Sequence, residues 1–265
     1  MTTQVIRLDK KLNHTIIELS QDLRHATKSL TKREWVELIL KTASVAGHET
    51  IKTKIKALKN AGQYLSNKIR VYSRNPKRAA TRDLLRTRKA IAELPENVRQ
   101  GIIEFKKLSR NEQCESAIIA TITLIIFFGS MGGFDAEGGL PDQDLKLGIG
   151  KHRNIISHSI ILGFGIEFAM RFVILFLLAI HSQLPSPHHK IWDKIESIIQ
   201  KSKNLGIAAM WAGIGLHLFK DAGLFSKRIK PYAWLPGHHS MAFHKSLFAT
   251  NAAVAGTISA GSING

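Results

Sequence analysis

Residues 116–134 read SAIIATITLIIFFGSMGGF, without one charged side chain. An α-helix rises 1.5 Å per residue, so this stretch just reaches across a hydrocarbon core of about 30 Å. Ile155–Ile180, IISHSIILGFGIEFAMRFVILFLLAI, is longer and carries Glu167 and Arg171 in its middle. Ionisable groups inside a bilayer are costly and face a partner or a cavity. At i, i+4 these two can neutralise each other across one helical turn. The first stretch could instead be the buried helix of a soluble protein, which has similar composition.

Two weaker stretches follow. Leu205–Phe219 is apolar, with Gly206, Gly213 and Gly215 suited to close helix packing. Phe248–Ile263 is rich in small residues, so it must pack on protein rather than lipid. Together these segments predict an all-α chain whose residues 116–265 form a polytopic helical membrane domain of about four spans.

Upstream the character changes. Residues 1–115 hold 25 Lys/Arg against 12 Asp/Glu, while residues 116–265 hold 13 against 8. The first part has no run that could span a bilayer, and it reads as a basic, helical, soluble-type domain. Leu8, Leu12, Ile16, Leu19 and Leu23 recur at helical spacing. Thr31 and Glu34 form a capping-box pattern before Trp35, Val36 and Leu38. A further helix is expected over His48–Val71. Pro76 opens another, Pro95 is expected to break it, and Glu96–Leu108 resumes.

So large a basic excess has three ordinary meanings: nucleic-acid binding, contact with anionic lipid, or the cytoplasmic side of a membrane protein. The positive-inside rule favours a cytoplasmic location for residues 1–115, although lysines in the connector 182–204 and in the loop 220–247 pull in opposite directions. Cys114 is the only cysteine, so no intrachain disulfide forms. The N-terminus has no apolar core of a signal peptide, so insertion is expected to rely on the internal spans.

Chemistry concentrates between the first two spans, in GLPDQDLKLGIGKHRNIISHS, residues 139–159. Asp142 and Asp144 flank Gln143 in a loop; His152 and His158 follow. His217 and Asp221 lie i, i+4 at the end of the third span, so both can reach one ion. Alternating crossings bring all six to one membrane face, along with Asp135, Glu137, His238, His239 and His244. His188 and His189 fall on the other face. Carboxylates and imidazoles are ligands of Zn, Mn and Fe, so this set suits one or two divalent metal ions. Arg153 could hold a phosphate or an oxyanion, or could anchor the helix at the headgroups. His152 and His158 converge only if the helix begins between them, near Asn154. A lone interfacial histidine is ordinarily just a polar cap; the set carries the argument.

PDQD (141–144), HRNIISHS (152–159) and HLFKD (217–221) resemble the bacterial inner-membrane metal-dependent hydrolase family of the LexA-regulated type. That family shows a Pro-Asp-x-Asp loop, a His-Arg-Gly-x-Thr-His-Ser element opening a membrane helix, and a later His-x-x-x-Asp. The resemblance covers about residues 139–221. It implies that Asp142, Asp144, His152, His158, His217 and Asp221 are metal ligands, that the membrane is a bacterial inner membrane, and that the substrate is a phosphoester. This chain departs from the pattern at Asn154 in place of Gly, at Ser157 in place of Thr, and at Leu145 in place of a usual His. One extra residue also separates His152 from His158.

The leading expectation is a membrane-embedded metal-dependent hydrolase acting on a phosphoester or lipid headgroup. A non-enzymatic effector is the alternative: its small-residue helices would oligomerise or open a pore under control of the N-terminal domain. A third is a membrane-tethered nucleic-acid binder using Lys52–Lys89.

Overall fold

The computed structural model describes residues 2–135, 138–147, 153–223, 231–233, 235 and 238–263. Its elements are α1 (Thr2–Lys28), α2 (Lys32–Arg74), α3 (Pro76–Lys107), α4 (Arg110–Met131), a 3-10 turn (Pro141–Leu147), α5 (Ile160–His181), α6 (Ile191–Asp221) and α7 (Met241–Ile263). Among the described residues no strand forms; one isolated bridge pairs Asn154 with Ala233. The all-α expectation holds.

Local chemistry sets most helix ends. The Thr31–Glu34 capping box is formed and starts α2. A second box, Ser109 with Glu112, starts α4. Gly132 ends α4 at φ 96°, a left-handed conformation that glycine adopts without steric cost. Ser159 caps α5.

Three boundaries differ from the sequence reading. The helices expected around Trp35 and over His48–Val71 are one continuous α2. Pro95 does not break α3 but lies inside it. Residues 91–95 are exposed, so water can satisfy the carbonyl that proline cannot bond. The helix after the His/Asp loop begins at Ile160, not near Asn154, because Asn154 diverts the chain into a turn described below.

Helices α4 to α7 run up, down, up and down. Gly213 of α6 faces the Phe127 carbonyl and Ser130 of α4 so closely that a Cβ would stand 2.5 Å from that carbonyl oxygen. Gly163 of α5 lies under the Trp211 ring, and Gly215 faces Ala252 and Ala255 of α7. The small residues of α6 thus let three neighbours approach it. Trp211, Met210, Ile214, Leu218, Phe248 and Ile258 form the core around it.

Two helices, α4 and α5, are long and apolar enough to cross a membrane, and both expose most of their apolar surface. The sequence reading predicts about four spans; α6 and α7 do not reach the same mark, since α6 carries Lys201 and Lys203 and buries small residues instead of presenting large ones.

Packing does not stop at the compositional boundary near residue 115. Helix α2 lies along α5 and touches α7. Trp35 packs on Phe176, and Glu49 binds Arg171 at 3.0 Å. Lys54 is buried against Glu167 at 2.5 Å. The expected Glu167–Arg171 pair forms at 2.9 Å, and Trp211 Nε1 donates to the same carboxylate.

Candidate metal centre

The up-and-down order brings the C-terminal ends of α4 and α6, the 3-10 turn, the approach to α5 and the start of α7 to one end of the bundle. Asp142 is on the 3-10 turn, where the Gly138 amide donates to its Oδ2 at 2.7 Å. His158 is on the turn before α5. That turn is built by Asn154, whose side-chain oxygen accepts from the amides of Ile156 at 3.0 Å and Ser157 at 2.9 Å. His217 and Asp221 occupy the last turn of α6, as their spacing requires.

Four donor atoms converge. His158 Nε2 lies 3.1 Å from Asp142 Oδ1 and 3.5 Å from Asp221 Oδ2. His217 Nε2 lies 3.5 Å from Asp142 Oδ1 and 3.4 Å from Asp221 Oδ2. Ligands about 2.0–2.1 Å from a tetrahedral ion stand about 3.3 Å from one another. These four of the six separations bracket that value, and the donor atoms of Asp142, His158 and His217 all lie within 4.8 Å of one another, with Asp221 beside both imidazoles. His158 is fully buried, and His217, Asp221 and Asp142 are nearly so. Moreover, His217 Nε2 and Asp221 Oδ2 are buried without a hydrogen-bond partner among the described residues. Unsatisfied buried polar atoms are rare, and two that face each other at 3.4 Å leave room for a water or an ion as their partner.

Both imidazoles are held from behind. His217 Nδ1 is 3.0 Å from the Met131 carbonyl oxygen, which can only accept, so that nitrogen carries a proton and Nε2 is left for the centre. His158 Nδ1 faces Ser157 Oγ at 3.0 Å and Asp144 Oδ2 at 3.4 Å. Asp144 is itself gripped by Ser157 Oγ at 2.5 Å and by the Asn154 amide and side chain at 3.2 and 3.0 Å. Carboxylate and carbonyl contacts of this kind orient the ligand rings of metal sites. Burial pushes the Asp142 carboxyl upward, but hydrogen bonds from His158 and the Gly138 amide, together with the nearby His217 imidazole, outweigh it and hold the group far below the usual carboxylate range.

Arg153 points inward. Its Nη2 donates to Asp221 Oδ1 at 2.7 Å, on the side of the carboxylate away from the cluster atom Oδ2. Its backbone sits at φ 64°, a conformation uncommon for non-glycine residues and concentrated at functional sites.

Of the residues singled out in the sequence, the structure brings together Asp142, His158, His217 and Asp221. Asp144 stands behind His158, on the ring nitrogen opposite the cluster. His152 and Glu137 lie outside the described residues. His238 and His239 are exposed. His244 is buried and accepts from the Tyr232 amide at 3.2 Å, which fixes the 231–233 segment; Tyr232 OH in turn donates to the His158 carbonyl at 2.6 Å. Sequence reading missed Asn154, Ser157, Tyr232 and the Met131 carbonyl. The Asn-x-x-Ser spacing is a turn signal that could have found the first two; a carbonyl contact across 86 residues leaves no such trace.

No family model, curated protein or solved structure matches this chain.

Proposed function

We propose that this protein is a membrane-embedded, metal-dependent hydrolase acting on a phosphoester or lipid headgroup. The observation that carries this reading is the gathering of Asp142, His158 and His217 donor atoms within 4.8 Å of one another, with the buried Asp221 carboxylate 3.4–3.5 Å from both imidazoles and both rings oriented from behind. The donors are two nitrogens and two oxygens, with no sulfur, a set that suits Zn, Mn or Fe. Asp142, His158 and His217 would hold the ion, with the Asp221 carboxylate beside them. A bound divalent ion supplies Lewis acidity and lowers the pKa of water.

The remaining steps fall to side chains. Asp144 keeps the His158 ring turned toward the centre. Arg153 fixes Asp221 and brings a planar, permanently charged fork to the edge of the site, where a phosphate or developing oxyanion would meet it. Core residues Phe248 and Tyr232, stacked at 3.9 Å, close the floor against water.

In this reading α4 and α5 cross a bacterial inner membrane, α6 and α7 follow them as shielded crossings, part of α2 lies against α5 within the bundle, and the rest of residues 1–115 lies on the cytoplasmic side. On α3, Leu84, Leu85, Ile91 and Leu94 are exposed beside Arg82, Arg86 and Arg88, a pattern that favours an anionic lipid surface over nucleic acid for the basic region.

Detergent-purified protein reconstituted with Zn, Mn or Fe should hydrolyse a phosphodiester in preference to a carboxylic ester. Asp142→Asn should remove that activity while leaving the protein inserted. Equal activity in the variant would overturn the proposal.

A further inference from the structure

Helices α2, α5, α6 and α7 border a cavity of about 380 Å³ at the end of the bundle away from the Asp/His centre. Five cations line it: Lys52, Lys54 and Lys56 from α2, Arg171 from α5 and Lys203 from α6, against the single carboxylate of Glu49. The two inner cations are committed. Lys54 binds Glu167, and Arg171 binds Glu167 and Glu49. The outer three differ. Lys52 and Lys56 are exposed and one helical turn apart, while Lys203 contacts only the Gln200 side chain, at 3.2 Å. Among the described residues none of these three is paired with a carboxylate.

The opposite wall is apolar, with Leu175 and Leu178 of α5 and Ile258 of α7. Depth is fixed by α4. Glu115, the last charged residue before the apolar run at 116–134, binds Lys201 at 2.7 Å. Lys203 is two residues further on, so the cationic mouth sits where hydrocarbon gives way to headgroups. A site with unpaired cations at headgroup depth and aliphatic side chains below it fits an amphiphile with a phosphate head. Its volume lies in the range of small-ligand pockets, about 300–1,000 Å³.

We propose that this cavity binds the phosphate headgroup of an anionic phospholipid, with Lys52, Lys56 and Lys203 on the phosphate and Leu175, Leu178 and Ile258 along the first acyl carbons. The inference rests on α4 and α5 crossing a bilayer, and not on the metal centre.

The experiment uses the full chain in neutral detergent. Binding of phosphatidylglycerol, phosphatidylcholine and inorganic phosphate is followed by native mass spectrometry and by melting temperature. A Lys52→Gln/Lys56→Gln/Lys203→Gln variant is compared with a Lys28→Gln/Lys32→Gln/Lys41→Gln control that loses the same charge from exposed positions on α1 and α2. Wild type and control should each retain phosphatidylglycerol over phosphatidylcholine and melt higher with it. The cavity variant should bind it about a hundredfold more weakly, the sum expected of three phosphate-facing lysines. Inorganic phosphate alone should raise the melting temperature little. The proposal is overturned if the cavity variant binds like wild type, if the charge-matched control loses as much, or if inorganic phosphate stabilises as well as the lipid. Metal content, measured on the same samples, should be equal in all three proteins. A failure here therefore leaves the metal centre standing, and a metal-free protein that still binds the lipid leaves this site standing.

Discussion

His217 Nδ1 lies 3.0 Å from the backbone carbonyl oxygen of Met131, the residue that closes α4. The contact ties the end of one apolar helix to the last turn of the central one. It also decides which nitrogen of His217 faces Asp142 and Asp221. Ring orientation at the centre is thus set by how closely α4 and α6 approach, and that approach is set by Gly213.

A methyl group at 213 should disturb both. Its Cβ would stand 2.5 Å from the Phe127 carbonyl and 2.9 Å from the Met131 amide, and backbone cannot swing aside as a flexible side chain can. Gly213→Ala should cost about 1–3 kcal/mol of stability, as overpacking does, and should weaken metal binding as well. Thermal unfolding in detergent and metal titration measure the two effects. An unchanged melting temperature would show that the helices are further apart than described here.

Asp144 separates an orienting role from a ligand role. If it holds His158 from behind, Asp144→Asn should lower metal affinity about 10–100-fold without abolishing binding. Ser157→Ala should act in the same direction and more weakly. Complete loss of metal in Asp144→Asn would make Asp144 a ligand in its own right.

Arg153→Lys tests the anionic clamp. Lysine keeps the charge but lacks the fork that meets Asp221 Oδ1 and could meet a phosphate. Turnover should fall about ten- to a thousandfold, the range for one lost preorganised donor, with metal and insertion intact. Wild-type turnover in this variant would make Arg153 an anchor only.

Topology can be read by labelling. In a Cys114→Ser background, cysteines introduced at Asn60 and Gln143 should react from opposite sides of the membrane. Both positions are exposed, and they belong to opposite ends of the bundle. Reaction of both from one side would contradict the crossings.

What was legible in the sequence followed from short-range rules. The capping box at Thr31, the Glu167–Arg171 turn and the His217–Asp221 spacing each depend on residues three or four apart, and each is formed. The gathering of Asp142 and His158 with the α6 pair followed from alternating helix directions. Hidden features came from longer range. Nothing in the sequence pairs Lys54 with Glu167, because a basic residue in a basic helix reads as solvated until α5 is laid beside it. The place of Asp144 was hidden by its similarity to Asp142: two carboxylates one residue apart look equivalent, and the 3-10 turn sends them to opposite sides of one imidazole.

Asp142, His158, His217 and the adjacent Asp221 are expected to hold one divalent ion. Elemental analysis of detergent-purified protein, after equilibration with Zn, Mn or Fe and removal of excess, tests it most directly. The wild type should carry about one tightly held ion per chain, His158→Ala and Asp221→Ala should each carry none at the same protein yield, and His188→Ala should match the wild type. A metal-free wild type, or full occupancy in both His158→Ala and Asp221→Ala, would contradict the account.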